Sequence, residues 1–197
     1  MYRVNEIFYT LQGEGFHVGE PAVFVRFSGC NLACSWCDTD HRQGTEMTAK
    51  EIVKAVQEAW PHKQKGWPLD TLPFVVLTGG EPALQVDEEL IEALASAHCY
   101  VAIETNGTRE LPEGIDWITC SPKLNTFPKL KHVDELKVVF DGKSNPELWR
   151  QEIDAKHRFL QPLHNGKTSN VDEVMEYIRS HPYWRLSVQL HKILGFK

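Results

Sequence analysis

The chain has 197 residues, 42% of them hydrophobic and 24% charged, with a formal net charge of -6. That length can bury one core, and with no linker or low-complexity spacer in the middle a single domain over 1–197 is expected. An acidic balance without runs of like charge argues against direct binding of nucleic acid or anionic lipid and favours a small-molecule partner. No stretch approaches the roughly 20 apolar residues needed to span a bilayer, and MYRVNEIFYTLQGEG lacks a basic region followed by an apolar run. The expectation is a cytoplasmic protein with no membrane contact, where clustered cysteines bind metal or do redox chemistry more often than they form disulfides.

The elements alternate along the chain. PAVFVRF (21–27), rich in β-branched and aromatic residues, predicts the first strand and ends at Gly29. TAKEIVKAVQEAW (48–60) predicts a helix with Ile52, Val53, Val56 and Trp60 on one face and a capping box between Thr48 and Glu51. PHKQKGWPLDTLP (61–73) reads as a surface connection. LPFVVLT (72–78), apolar on both faces, predicts a buried parallel strand, and VDEELIEALASA (86–97) an amphipathic helix. Further strands are expected at YVAIET (100–105), DWITCS (116–121), DELKVVF (134–140), RFLQP (158–162) and RLSVQLH (185–191), with a capped helix at SNVDEVMEYIRSH (169–181). Tyr177, Tyr183 and Trp184 read as core packing or as an exposed apolar strip for a partner. Strands joined by helical crossovers make an α/β fold with a mostly parallel sheet. A closed eight-unit barrel takes about 250 residues, so an open, partial β/α barrel is expected.

In such folds chemistry gathers at the C-terminal ends of the strands. GCNLACSWCDT follows the first predicted strand, TGGEP the second, ETNG the third, SPK the fourth and QP a later one, so these motifs are expected to converge on one mouth. Cys30, Cys34 and Cys37 have the spacing C-x3-C-x2-C, with Trp36 before the third cysteine. A structural zinc site wants four ligands, usually as two separated pairs, and no second pair is present, although His41 could complete one. Cys99 and Cys120 sit in apolar surroundings and read as buried, inert thiols. Three thiolates on a four-iron cluster would leave one iron open to another ligand.

Cys-x3-Cys-x-aromatic-Cys after the first strand, with Gly-Gly-Glu-Pro after the second, resembles the radical S-adenosylmethionine superfamily. EIFYTLQGEG, FVRFSGCN, CDTD, TGGEPALQ, AIETNGT, DWITCSPK, ELKVVF, LQP and HPYWRLSVQLHK, in that order over nearly the whole chain, resemble its 7-carboxy-7-deazaguanine synthase family. The resemblance implies a fold of the radical S-adenosylmethionine type. It also implies a carbon–nitrogen lyase that converts 6-carboxy-5,6,7,8-tetrahydropterin to 7-carboxy-7-deazaguanine by radical ring contraction with loss of ammonia, on the pathway to queuosine and other deazapurines. S-adenosylmethionine would be cleaved to an adenosyl radical and regenerated at the end of each cycle.

The implied cofactors are a 4Fe-4S cluster on Cys30, Cys34 and Cys37, S-adenosylmethionine, and Mg2+ on Thr39, which by its pattern alone is a turn residue. The implied S-adenosylmethionine positions are Trp36, Cys37, Asp38, Gly79, Gly80, Glu81, Glu104, Asn106, Ser121, Pro122, Lys123, Gln161, Pro162, Leu163 and His164. SPK and QP taken alone are ordinary strand-to-loop punctuation. The implied substrate positions are Leu11, Gln12, Gly13, Glu14, Thr78 and, through its terminal carboxylate, Lys197. Arg26 on an apolar strand could meet the substrate carboxylate or pair with Glu104 or another acid. His191 is a core or surface histidine, or a donor to the pterin. The resemblance further implies a homodimer and an electron donor such as flavodoxin or ferredoxin. A glycyl-radical activase would share the cysteine motif without needing TLQGEG or Arg26, and a zinc-stapled interaction module would not need GGEP or ETNG.

Overall fold

The computed structural model describes residues 1–37, 39–61, 72–142, 144–164 and 168–197. Most of the expected surface connection at 61–73 lies outside the described residues. The architecture is α/β, with an open, mostly parallel sheet and helices rather than a closed barrel, as the alternation of strand and helix predicts. The chain forms two compact units. The first comprises Met1–Leu11, Glu20–Glu104 and Leu111–Trp117, and the second Gln12–Gly19, Thr105–Glu110 and Ile118–Lys197.

In the first unit the elements are β1 (Tyr2–Leu11), β2 (Pro21–Phe27), β3 (Thr45–Met47), α1 (Ala49–Ala59), β4 (Phe74–Gly79), α2 (Glu88–Ser96) and β5 (Tyr100–Thr105). The strands lie in the order β3-β1-β2-β4-β5. β2, β4 and β5 pair in parallel, whereas β1 runs antiparallel to both β2 and β3. Here the sequence reading needs correcting, because EIFYTL was expected to precede the first strand and is itself the body of β1. It needs a partner to be a strand, and Ile7 opposite Val25 and Tyr9 opposite Val23 supply one.

α1 starts where the capping box predicts, with Glu51 N–H donating to Thr48 Oγ1 and Thr48 N–H to the Glu51 carboxylate. It buries Ile52 and Val56 completely, contributing about 1.5–3 kcal/mol each. α2 is capped by Asp87, whose carboxylate accepts from Leu90 N–H, and buries Leu90, Ile91 and Leu94. On the sheet, Val23, Val25, Phe27, Val75, Leu77, Val101 and Ile103 are all buried. The alternate positions carry a second cluster of Ala22, Phe74, Val76, Ala102 and Trp117, with Phe24 and Tyr100 packed against it. Further along the same rows stand Arg26 and Thr78, paired in register, with Glu104 two residues beyond Ala102. One face is thus apolar at the N-terminal ends of its strands and polar at their C-terminal ends.

The second unit contains β6 (Trp117–Cys120), β7 (His132–Phe140), α3 (Pro146–Glu152), β8 (Asp154–Pro162), α4 (Val171–Ser180), β9 (Arg185–Leu186) and α5 (Leu190–Leu194). β6 to β9 pair in parallel in chain order. α3 escaped the sequence reading although Asn145 caps it and Pro146 opens it. RLSVQLH was expected to be one strand, yet only Arg185 and Leu186 pair with β8. Ser187 N–H still donates to Leu160 O at 2.9 Å, and then Leu190 N–H donates to Gly13 O at 2.9 Å, so the chain leaves the sheet and turns into α5. Asn170 stands at the N-cap of α4 without a side-chain cap bond; its amide instead accepts from Leu163 N–H and donates to Phe140 O, each at 2.8 Å. Tyr177, Tyr183 and Trp184 all donate to the Glu147 carboxylate, and Trp184 is buried. The packing reading holds for Trp184. Among the described residues, no helix is long and apolar enough to cross a membrane.

Candidate active site

The cysteine loop begins directly after β2. Ser28 N–H donates to Arg3 O, Gly29 N–H to His41 O at 2.8 Å, and the Ser28 hydroxyl to Gln43 O, so the two ends of the loop are tied. Within it, Cys37 N–H donates to Cys34 O at 3.1 Å, Leu32 N–H to Cys30 Sγ at 3.4 Å, and the Cys37 thiol to Thr39 O at 3.7 Å. Cys34, Cys37, Thr39 and His41 line one cavity of about 300 Å³. Asp38 lies outside the described residues.

TGGEP is fastened to this loop. Gly80 N–H donates to Phe27 O at 3.2 Å and Glu81 N–H to Gly29 O at 2.9 Å, the residue before Cys30. Gly79 has φ +138, and a Cβ there would stand 2.5 Å from Phe27 N; at Gly80 one would stand 2.6 Å from Gly29 C and 3.0 Å from Cys30 Cβ. Only two glycines let the backbones pass so closely. Glu81 is buried, and its carboxylate accepts from Ala83 N–H at 3.0 Å to open a short 3-10 turn.

Burial, followed by the negative charge of Glu81 and the neighbouring Cys34 and Cys37, pushes the Cys30 thiol above its ordinary range, against an opposing bond from Leu32 N–H. A thiol held protonated in this way becomes a thiolate when a cationic centre binds it. Three thiols on one loop, two of them lining one cavity, are a donor set that fits a polynuclear cluster with a vacant coordination position. Cys99 and Cys120 are buried, as expected for packing thiols; burial pushes the Cys99 thiol up to about 11.

Arg26 makes an ion pair: its Nε donates to Glu6 Oε1 on β1 at 2.9 Å, and its guanidinium carbon lies 5.8 Å from the Phe8 ring centroid. The acid that pairs with it is thus Glu6, a residue the sequence left unassigned, and Glu6 and Arg26 face one another in register.

The second unit contains QGEG, the part of TLQGEG from Gln12 onward. Gln12 and Glu14 close a tight turn, with Glu14 N–H donating to Gln12 Oε1 at 3.2 Å and Gly19 N–H to Gln12 O at 2.8 Å. Gly13 backs onto α5, and a Cβ on it would stand 2.5 Å from His191 Nδ1. The Phe196 ring lies 6.4 Å from the His191 ring, edge to face, and Lys197 is exposed. Gly15 N–H donates to Ser187 Oγ at 3.0 Å, Ser187 Oγ to Gln161 Oε1 at 3.1 Å, and Phe16 N–H to Glu135 Oε2 at 2.9 Å. Glu14 itself receives Lys137 Nζ at 2.8 Å on Oε2 and Gln189 Nε2 at 2.8 Å on Oε1. Burial opposes its ionisation, but Lys137, Gln189 and His191 outweigh that and hold the Glu14 carboxyl down at about 2.

The other predicted positions in this unit are ordered by local bonds. Asn106 Oδ1 accepts from Thr108 N–H and Oγ1, Ser121 N–H donates to Thr105 O at 2.7 Å, and Lys123 Nζ donates to Ser121 O and Oγ at 2.6 and 2.7 Å. Pro122 is buried. Gln161 is buried, and Pro162 and His164 line a cavity of about 240 Å³ with Val188, Gln189 and Lys192, beside which Leu163 is tied to Asn170. The sequence reading missed Glu6, Glu135, Lys137, Ser187 and Gln189. For Glu135 and Lys137 the available signal was their charge in DELKVVF, a strand apolar towards its end, where a buried charge is costly unless paired.

Residues 24–123 match the Radical SAM superfamily model. That match covers the cysteine loop and GGEP together, and the chain belongs to the radical S-adenosylmethionine superfamily, whose members imply a 4Fe-4S cluster and S-adenosylmethionine. Over its full length the chain is 50% identical to a 7-carboxy-7-deazaguanine synthase from Bacteroides thetaiotaomicron, with 100% of both chains covered. It is 42% identical to one from Nitratidesulfovibrio vulgaris, covering 98% of each. The crystal structure of QueE from Escherichia coli superposes with a TM-score of 0.73 at 28% identity, covering 96% of this chain and 94% of that one. The chain belongs to the 7-carboxy-7-deazaguanine synthase family.

Proposed function

We propose that this protein is a radical S-adenosylmethionine lyase of queuosine biosynthesis. Its reaction contracts the ring of 6-carboxy-5,6,7,8-tetrahydropterin to 7-carboxy-7-deazaguanine with loss of ammonia. The observation that carries the reading is the fastening of GGEP to the residue before Cys30: it sets beside a three-thiol loop the backbone that an amino acid cofactor would meet. When bound, the cluster and S-adenosylmethionine supply the adenosyl radical that starts the rearrangement.

Cys30, Cys34 and Cys37 hold the cluster, and the Thr39 hydroxyl ligates Mg2+, a hard cation suited to a substrate carboxylate. Trp36, Asp38, Gly79, Gly80, Glu81, Glu104, Asn106, Ser121, Pro122, Lys123 and Gln161 to His164 hold S-adenosylmethionine. Arg26, oriented by Glu6, takes the substrate carboxylate through its terminal nitrogens, and Thr78 binds beside it. Leu11, Gln12, Gly13, Glu14, His191 and the Lys197 carboxylate bind the donor-rich aminopyrimidinone edge. The protein works as one radical S-adenosylmethionine domain over 1–197, as a cytoplasmic homodimer, and takes electrons from flavodoxin or ferredoxin.

The test is anaerobic reconstitution with iron and sulfide, followed by dithionite, S-adenosylmethionine, Mg2+ and the carboxytetrahydropterin. Deazapurine detected by mass, without matching loss of S-adenosylmethionine, is the expected result. Accumulation of 5'-deoxyadenosine with no deazapurine would overturn the substrate while leaving the radical chemistry intact.

A further inference from the structure

Lys137 is buried on β7, among Leu136 and Val138, and belongs to none of the roles above. A buried charge is kept there at a cost that an apolar residue would not incur. Its ammonium meets Glu14 Oε2 at 2.8 Å, and Gln189 Nε2 meets Oε1 at 2.8 Å. The backbone on both sides of Glu14 is pinned as well, through Gly13 O to Leu190 N–H, Gly15 N–H to Ser187 Oγ and Phe16 N–H to Glu135.

We propose that Lys137 is a positioning residue for substrate recognition, which together with Gln189 holds Glu14 as a fixed, ionised acceptor for the 2-aminopyrimidinone edge. The inference rests on the reading of Glu14 as a pterin-binding residue. An ionised carboxylate accepts about four hydrogen bonds, and two are taken from within the protein. The others suit the neighbouring N–H donors of a 2-amino-4-oxo ring. A protonated Glu14 would present an O–H to those donors, which is the wrong complement. It would suit instead a 2-oxo ring, whose oxygen accepts. Lys137 therefore selects a pterin over the corresponding lumazine.

The charged and polar groups facing Glu14 are Lys137 and Glu135 on β7, Gln189 ahead of α5, and His191 on it. Glu135 is a like charge and engages Phe16 N–H and the approach to Gly15. Lys137 is the cation in direct contact. Without it, burial would drive the Glu14 proton affinity up, and acid would neutralise it.

The experiment titrates 6-carboxypterin and 6-carboxylumazine into the full-length protein between pH 5.5 and 8, following ligand fluorescence, and measures turnover of the reconstituted enzyme in parallel. For Lys137→Met, pterin affinity is expected to fall about tenfold or more at pH 5.5 relative to wild type, and less at pH 8. KM should rise with little change in kcat, and the preference for pterin over lumazine should shrink at low pH. Lys137→Arg, which keeps the charge, should recover most of the affinity. A folded Lys137→Met protein with the wild-type pH profile and the wild-type ligand preference overturns the inference. If that variant does not fold, Gln189→Leu decides in its place: an acid-side loss of roughly threefold supports the role, and an unchanged profile overturns it. Failure of the reconstituted wild type to convert 6-carboxytetrahydropterin overturns the substrate reading, whereas wild-type binding of 6-carboxypterin with an unaffected Lys137→Met protein overturns this inference alone.

Discussion

Arg26 Nε lies 2.9 Å from Glu6 Oε1 across the antiparallel pairing of β2 and β1. The bond engages the inner nitrogen of the guanidinium, so it fixes the plane in which the terminal nitrogens lie. A lysine keeps the charge but has no such fork. Arg26→Lys should therefore raise KM for the carboxytetrahydropterin by about tenfold or more, and Glu6→Gln, which loosens the fork without removing it, by roughly threefold. Steady-state kinetics on the reconstituted enzyme checks both, and equal effects from the two variants would contradict the ordering.

The cysteines divide into a trio on the loop after β2 and a buried pair. Cys34→Ala should abolish iron retention and S-adenosylmethionine cleavage together, whereas Cys120→Ala should cost only packing stability, of order 1 kcal/mol, and leave iron content unchanged. Iron analysis and the brown absorbance under anaerobic handling separate them.

Gly80→Ala places a methyl group against Gly29 and Cys30, backbone that has nowhere to move without displacing the cysteine loop. A thermal melt should show a loss of about 2–4 kcal/mol, and iron stoichiometry should fall with it. Full iron loading in a destabilised Gly80→Ala protein would mean that the loop tolerates the displacement.

Glu147 gathers Trp184, Arg150 and Tyr183, with Tyr177 at 3.2 Å, and although burial opposes its ionisation these partners hold its carboxyl down at about 2, from an ordinary 4.5. Because the folded value is the lower one, the stabilisation is present above the ordinary range and is lost as pH falls from about 4.5 towards 2. Urea denaturation of the apoprotein should show Glu147→Gln closing on wild type over that window. A constant difference between the two proteins at pH 5 and pH 3 would place the acid sensitivity elsewhere.

α1 offers a control remote from the chemistry. Thr48→Ala removes the hydroxyl that receives Glu51 N–H and should cost about 1 kcal/mol in a melt, with kcat and KM unaltered.

Much of the fold was legible because its signals are local. The capping box at Thr48 and Glu51, the apolar face of Ile52 and Val56, and the doubly apolar run before TGGEP are each complete within a dozen residues. The cysteine trio and GGEP were legible for the same reason, since loop spacing is itself a sequence property. β1 was missed because its strand character depends on β2, and the supposed last strand ended early because, after a last bond from Ser187 N–H to Leu160 O on β8, Leu190 N–H pairs with Gly13 O instead of the sheet. Neither fact is written in the segment concerned.

By itself the sequence determined the α/β class, the helices α1, α2 and α4, the capping box of α1, and the spacing of three thiols and a Gly-Gly-Glu run at successive strand ends. The tertiary structure alone decided which charges meet: Glu6 with Arg26, and Lys137 with Glu14. A helix period or a ligand spacing is read along the chain, whereas a buried charge is stabilised only by the partner that folding brings within about 3 Å of it, however far away that partner lies in sequence.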